Sequence, residues 1–452
     1  MSDECEIILL LFKSLKMNYK FLLLTSFFTL CFFTACTIEE VPNPNGPDLD
    51  AILENATIPE LNATAVGIES LMRKDLGFYY DAVSIIGREY YYFTGSDPRY
   101  TADLLGGGES TLDNNTFYTT RSFTGRYSAI KNANILLEAV ENTSAPVTEE
   151  QKNGYRGFAK TIQAYQLLLN LNMQYQNGVR VDVADPDNLG PFLSYDESLS
   201  SINDLLEDAY TILMSEDAAF LFDLSSGFSG FETPVSFAKF NRGLAARVQL
   251  YQGAYSTAIE TLADSFIDLG ASLSEGPKNF FSTAGGDVVN PVFRATNQAD
   301  ALVAHPSFLT DIREDDTRLN KVAARNTSIA LDDLSGTHDV LVFESQDADI
   351  TIINNEELLL IQAEANIFQG NMGDAIAALD VILAANGLDA YSGDMDEASL
   401  VEELMYNRRY SLYALGHRWV DMRRWDALDA LPLDRDGDDI WVEFPRPATE
   451  AE

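Results

Sequence analysis

The chain has 452 residues, of which 70 are acidic and 30 basic, giving a net charge of −40, and 46% are hydrophobic. A field of that sign disfavours nucleic acid and anionic membrane surfaces as partners, because phosphate binding needs basic patches. The apolar content excludes disorder over most of the length, and the acidity reads as a solvated surface.

Residues 1–16 begin Met1-Ser-Asp-Glu-Cys-Glu6 and are read as an extension upstream of the true start at Met17. From Met17 a short charged stretch ending at Lys20 leads into Phe21–Phe33, apolar but for two threonines and a serine, and then Thr34-Ala35-Cys36. This is the layout of a secretory signal. The run is too short for a membrane span of about 20 residues. A cysteine directly after small residues resembles a bacterial lipobox, with Phe33 where leucine is more usual. The expectation is therefore a lipoprotein signal over 17–35 and lipid attachment at Cys36, ahead of an uncleaved anchor or an ordinary signal peptide. All three cysteines, Cys5, Cys31 and Cys36, lie in this leader. Lipidation of Cys36 leaves no disulfide, thiolate metal site or cysteine nucleophile. The acids and lysines of residues 1–35 cancel, so the remainder keeps the whole −40.

Residues 36–58, with Pro42, Pro44 and Pro47, read as a flexible tether to a single mostly α domain over 59–452. Amphipathic helical runs follow near 59–76, 122–141, 148–175, 198–214, 236–251, 254–268, 355–369, 371–386 and 398–415. Gly- and aromatic-rich stretches at 87–121, 177–197, 221–235 and 270–350 read as long loops, with little β structure. An internal repeat relates Ala246–Gly253, followed by Ala258, Ile259 and Leu262, to Ala363–Gly370, followed by Ala375, Ile376 and Leu379. Each copy is a helix, a turn at glycine and a second helix with alanine at the close approach. That is a tetratricopeptide-like hairpin, here with large loop insertions rather than in tandem.

The C-terminal third holds the most specific string. Glu356–Ala365 and Gly370–Ala375 are followed by Asn407-Arg-Arg-Tyr410, Gly416-His-Arg-Trp-Val-Asp-Met-Arg-Arg-Trp425, Leu431-Pro-Leu-Asp434 and Phe444-Pro-Arg-Pro447. This resembles the SusD/RagB family of outer-membrane glycan-binding lipoproteins, from the lipobox to the terminal Phe-Pro-x-Pro, with Asn407 where the family usually has glutamate. The resemblance implies a surface-exposed lipoprotein of the outer membrane. It would capture an oligosaccharide, polysaccharide or other nutrient and pass it to a SusC-like TonB-dependent transporter. A helical-repeat scaffold for protein partners is the alternative, distinguished by an open groove between helices.

On the 398–415 run, Arg408 shares the apolar face of Val401, Leu404, Met405, Leu412 and Leu415, so it needs a buried acidic partner. Glu357 and Glu364 share a face with Ile361 and Phe368. Arg408 or Arg409 is expected to pair with one of these glutamates, a structural role, and Trp419 and Trp425 are expected to be packed.

No catalytic group stands out. With so many acids, carboxylate pairs at glycosidase spacing carry no discrimination. Gly227-Phe-Ser-Gly-Phe231 lacks the last glycine of a nucleophile elbow. Asp434–Asp439 has its glycine two positions early for a calcium loop and reads as a turn. Gly106–Gly108 lacks the lysine of a phosphate loop. The three histidines stand far apart, so neither a metal nor a cofactor is expected. Glycan binding needs aromatic faces and short polar side chains. The candidates are Tyr90, Tyr91, Tyr92, Asp97, Arg99 and Tyr100, then Tyr118, with Phe228 and Phe231 as a mobile lip. For any one tyrosine a core position is an equal alternative. The ligand face is assigned to about 87–121, 177–235 and 270–350.

Overall fold

The computed structural model describes residues 49–450. The leader and Cys36 therefore lie outside the described residues. The helical body starts earlier than the composition suggests, because Leu49–Asn55 already forms α1. Ile52 is buried, Asn142 donates to the Leu53 carbonyl and Ser144 donates to Asn55 Oδ1, which fixes this end of the expected tether to the body.

Helices dominate where the sequence alternates apolar and polar residues at helical spacing. They are α2 (Ile58–Met72), α3 (Leu76–Ile86), α4 (Phe117–Asn142), α5 (Glu149–Gln174), α6 (Tyr195–Leu213), α7 (Pro234–Tyr251) and α8 (Tyr255–Leu262). After the long insertion come a short α9 (Pro306–Asp311), then α10 (Asn355–Phe368), α11 (Met372–Ala385), α12 (Glu397–Ser411) and α13 (Arg418–Arg424). Their starts are chemically marked. Thr148 with Gln151 and Ser194 with Glu197 form capping boxes, and Asn354 and Asp396 accept the amides of Glu357 and Ser399.

The packing order follows the chain: α2 on α4, α4 on α5, α5 on α6, α6 on α7, α7 on α8, and α8 on α10. The two repeat units are the hairpins α7–α8 and α10–α11. Each turns at a glycine in the left-handed region, Gly253 at φ 69° and Gly370 at φ 76°, where a side chain would be strained. They stack on each other, with the Tyr255 and Phe368 rings 4.6 Å apart and 18° from parallel. Helix α10 is central: Glu357–Ile361 and Ala363–Ile367 are all buried, so it walls no open groove.

The insertion at 270–350 is not all loop. A four-stranded antiparallel sheet runs in the order β1 (Tyr90–Phe93), β3 (Ala301–Ala304), β5 (Leu334–Val340), β4 (Val322–Leu331). A two-stranded piece pairs β2 (Lys278–Asn279) with β6 (Ile350–Thr351). Tyr90, Tyr91, Tyr92 and Phe93 face Ala304, Val303, Leu302 and Ala301 in register, and all eight are buried. Strands β4 and β5 form an outlying hairpin turning at Asp332 and Asp333, both at positive φ.

Candidate functional site

An arginine–carboxylate layer ties the C-terminal helices together, with partners other than those expected. Glu357 is paired bidentately by Arg247 of α7, at 2.6 Å on both oxygens, and Glu364 by Arg424 of α13. Arg408 grips Asp421 through Nε and Nη2 at 2.7 and 3.0 Å, and Arg409 reaches Asp311 at 2.8 Å. Neither Arg408 nor Arg409 meets Glu357 or Glu364. The reason is tertiary: α10 lies against α7 on one side, so Glu357 turns to Arg247, while α13 delivers both Asp421 to Arg408 and Arg424 to Glu364. Burial raises the Asp421 carboxyl, but Arg408 and Arg424 outweigh it and hold the group below its ordinary value. Burial pushes His417, beside Glu357, down to about 4, so it stays neutral at pH 7. Trp419 is fully buried, donating to the Trp441 carbonyl, and Trp425 is half-buried, donating to Glu364.

The aromatic candidates are core. Tyr90, Tyr91, Tyr92, Tyr100, Tyr118, Phe228 and Phe231 are all buried. Strand β1 is the edge strand of the sheet, but both its faces are covered and all four of its residues are buried, which consumes Tyr90–Tyr92. The Tyr91 ring stacks at 10° on Phe93 and lies 5.2 Å from His305. Tyr118 donates to Asp103 and receives the Asp113 amide. Phe228 packs on Phe237 and Phe240, and Phe231 on Phe266, beneath α7, so the expected lip is core. Asp97 and Arg99 close on each other bidentately, and the Arg99 guanidinium covers Phe117 at 4.9 Å. Arg88 is fully buried, donating to the carbonyls of Pro432 and Asp439.

Of that set, Tyr100 lines a cavity. Between α2 and α3 the chain breaks at Arg73-Lys74-Asp75, with Asp75 at φ 54°. This elbow, the first turns of α3 and the 281–294 segment enclose a cleft of about 510 Å³. The segment approaches α3 closely because residue 77 is glycine: a Cβ there would stand 2.8 Å from the Pro291 ring. Phe78 is half-buried on the cleft wall and continues inward as a ring ladder, 5.4 Å to Phe117, then 5.0 Å to Tyr100 and 4.5 Å to Tyr92. Val288 and Val289, 50% and 44% exposed, form an apolar rim.

Charged groups of both signs border these surfaces. Arg73 spans the Phe280 carbonyl at 2.8 Å and Asp287 at 2.6 Å, and Lys74 donates to Ser128 at 3.0 Å. Arg294 covers the Tyr92 ring at 4.8 Å and donates to its hydroxyl at 2.7 Å. Asp81 lines the cleft while only 3% exposed, accepting from the Tyr90 hydroxyl at 3.1 Å. Burial pushes its carboxyl up to about 7, against the pull of Arg294. An aromatic face, an apolar lip, fixed donors and one carboxyl make a surface suited to C–H faces and hydroxyls together. Phe78, Asp81, Arg73, Arg294 and the two valines were missed from sequence. Val288-Val289 between Gly286-Asp287 and Asn290-Pro291 is the one local signal, an apolar pair in a turn-rich stretch.

Among the described residues no group of three or more His, Cys, Asp or Glu is placed to hold a metal ion, and no helix is long and apolar enough to cross a membrane.

Comparison with known proteins adds to this geometry. Residues 330–446 match the SusD family. Among solved structures, a SusD superfamily protein of Bacteroides vulgatus is 15% identical with a TM-score of 0.67, covering 87% of this chain and 96% of that one. NanU of B. fragilis is 14% identical, TM-score 0.65, over 90% and 96%. Surface glycan-binding protein A of Bacteroides thetaiotaomicron, in complex with laminarihexaose, is 11% identical, TM-score 0.62, over 83% and 92%. No curated protein sequence matches. Residues 330–446 thus carry the sequence pattern of the SusD family, and the helical fold of SusD superfamily proteins is shared along most of the chain.

Proposed function

We propose that this protein is a surface lipoprotein of the outer membrane, anchored through Cys36. In this reading it binds a glycan, or another nutrient of similar chemistry, in the elbow cleft and passes it to a SusC-like TonB-dependent transporter. The observation that carries the binding step is the Phe78 face beside the Val288–Val289 rim, edged by Arg73, Arg294 and Asp81. A sugar ring laid on Phe78 buries its C–H face while its hydroxyls meet the charged edge. A glycan-binding neighbour of the same fold supports the ligand class, and the lipobox supports the anchor. The role is one of capture rather than catalysis.

The test uses the chain from Thr37 on a panel of neutral and anionic polysaccharides, by affinity gel and calorimetry. Binding to at least one glycan, reduced by Phe78→Ala, supports the reading. Binding that Phe78→Ala leaves intact moves the site elsewhere, and failure on every glycan redirects the ligand class. Co-purification with a barrel-sized membrane partner from the native envelope tests the handover separately.

A further inference from the structure

A second cavity, of about 250 Å³, opens between the C-terminal half of α12, α13 and Asp311 at the end of α9. It shares no lining residue with the elbow cleft. Three arginines line it, Arg408, Arg409 and Arg418, against two carboxylates, Asp311 and Asp421. Those carboxylates are already engaged. Asp421 is held by Arg408 and also by Arg424, at 3.0 Å, and Asp311 takes Arg409.

The cations are not all satisfied. Arg408 has a side chain 1% exposed, and because Nε and Nη2 both face Asp421, its Nη1 is buried without a hydrogen-bond partner. Arg418 donates from Nε to the Gly87 carbonyl at 3.1 Å and has no carboxylate at ion-pair distance among the described residues. Burial and the neighbouring Arg409 depress its pKa to about 10. The other acid acting on it, Glu89, is itself buried and pushed up to about 7, which blunts its charge near neutrality. A buried guanidinium with unused donors is costly unless an anion completes it. The molecule as a whole carries −40, so its distant field repels anions; these arginines act only at contact range, within a Debye length of about 8–10 Å.

We propose that the cleft of Arg408, Arg409 and Arg418 is a binding site for an oxyanion, the carboxylate, sulfate or phosphate group of a small molecule. Planar guanidinium forks match the paired oxygens of such groups. The ligand completes Arg408 Nη1 and the open face of Arg418, and Arg409 swings from Asp311 to share it. This reading does not depend on what the elbow cleft binds.

The test is calorimetric titration of the chain from Thr37 with inorganic sulfate, inorganic phosphate and acetate, chloride being used to hold ionic strength constant. Saturable 1:1 binding of at least one anion is expected, and which one binds separates the carboxylate from the sulfate and phosphate sources. Arg418→Gln and Arg409→Gln should each weaken it by about tenfold or more, the effect of losing one charge-assisted donor. Asp311→Asn should tighten it severalfold by freeing Arg409, a gain that misfolding cannot imitate. Absence of saturable binding for all three anions overturns the proposal. So does binding that Asp311→Asn and the two arginine variants leave unchanged, since that would be a general salt effect.

Discussion

The arginine–carboxylate layer around α10 and the elbow cleft at α2–α3 use the same residue types in opposite ways. Around α10, Glu357 and Glu364 are buried, bidentate and enclosed by regular helix, so charge fixes which helix faces which. At the elbow the backbone breaks, the rings stand half open, and the charged groups border a cavity. The most specific string in the sequence therefore marks the scaffold. The proposed ligand surface is written in residues that look ordinary: a phenylalanine on a helix, two valines in a loop and an arginine three residues after a proline.

That contrast can be broken most forcefully inside the layer. Glu357→Ala strands Arg247 in the core and should cost about 3–5 kcal/mol in denaturant unfolding. Glycan affinity of the fraction still folded should not change. A loss below about 1 kcal/mol would mean the layer does not hold α7 to α10.

Acidity sharpens the comparison next, because the cleft has its own buried carboxyl. Asp81 sits among Tyr90, Tyr92, Tyr100, Arg294 and Asp300, and its folded pKa is raised to about 7 by burial. The neutral form is favoured by folding. Its contribution is fully present below the unfolded value of about 4 and is lost as pH rises to about 7, on the order of a few kcal/mol. Asp81→Asn keeps an acceptor for Tyr90 and should flatten part of that decline. Glu89, raised likewise, and His417, whose stability contribution runs the other way between about 4 and 6.5, remain in the variant. An unchanged slope would contradict the burial of Asp81.

Smaller effects belong to the cleft surface. Phe78→Ala should weaken glycan binding about tenfold, which is about 1.4 kcal/mol, while stability falls less than for a fully buried ring. Calorimetry and denaturant unfolding on the same sample separate the two. Val288→Ser at the exposed rim should change stability by less than about 0.5 kcal/mol and affinity by only a few-fold. Tyr91→Ala should behave as a core truncation, costing about 3–5 kcal/mol rather than selectively removing ligand binding.

Much of the helical fold was legible because its signals are local. The paired alanines and the glycines 253 and 370 mark two hairpins, and both form where the repeat places them. Helix α3 was not legible as a separate element: nearly every residue from Leu76 to Ile86 is buried, so no polar stripe shows its period. The β4–β5 hairpin hid for the reverse reason. Strand β4 is largely exposed, and the hairpin turns on Asp332-Asp333, without the Asn-Gly or Asp-Gly pair that announces such a turn. The aromatic run at 90–93 misled the site assignment because a strand buried on both faces and a ligand platform are written in the same residues. Of the residues assigned from sequence, Tyr92 and Tyr100 back the wall on which Phe78 stands. The ion-pair partners were illegible because helix faces can be read from one helix alone, whereas partners depend on which helix packs next.

The most direct measurement is hydrogen–deuterium exchange of the chain from Thr37 with and without a saturating glycan found in the binding panel. Protection concentrated at residues 70–78 and 281–294, with α10 and α12 unchanged, is the predicted result. Protection that spares the elbow, or appears instead along α10–α13, would contradict the assignment of the cleft as the ligand site.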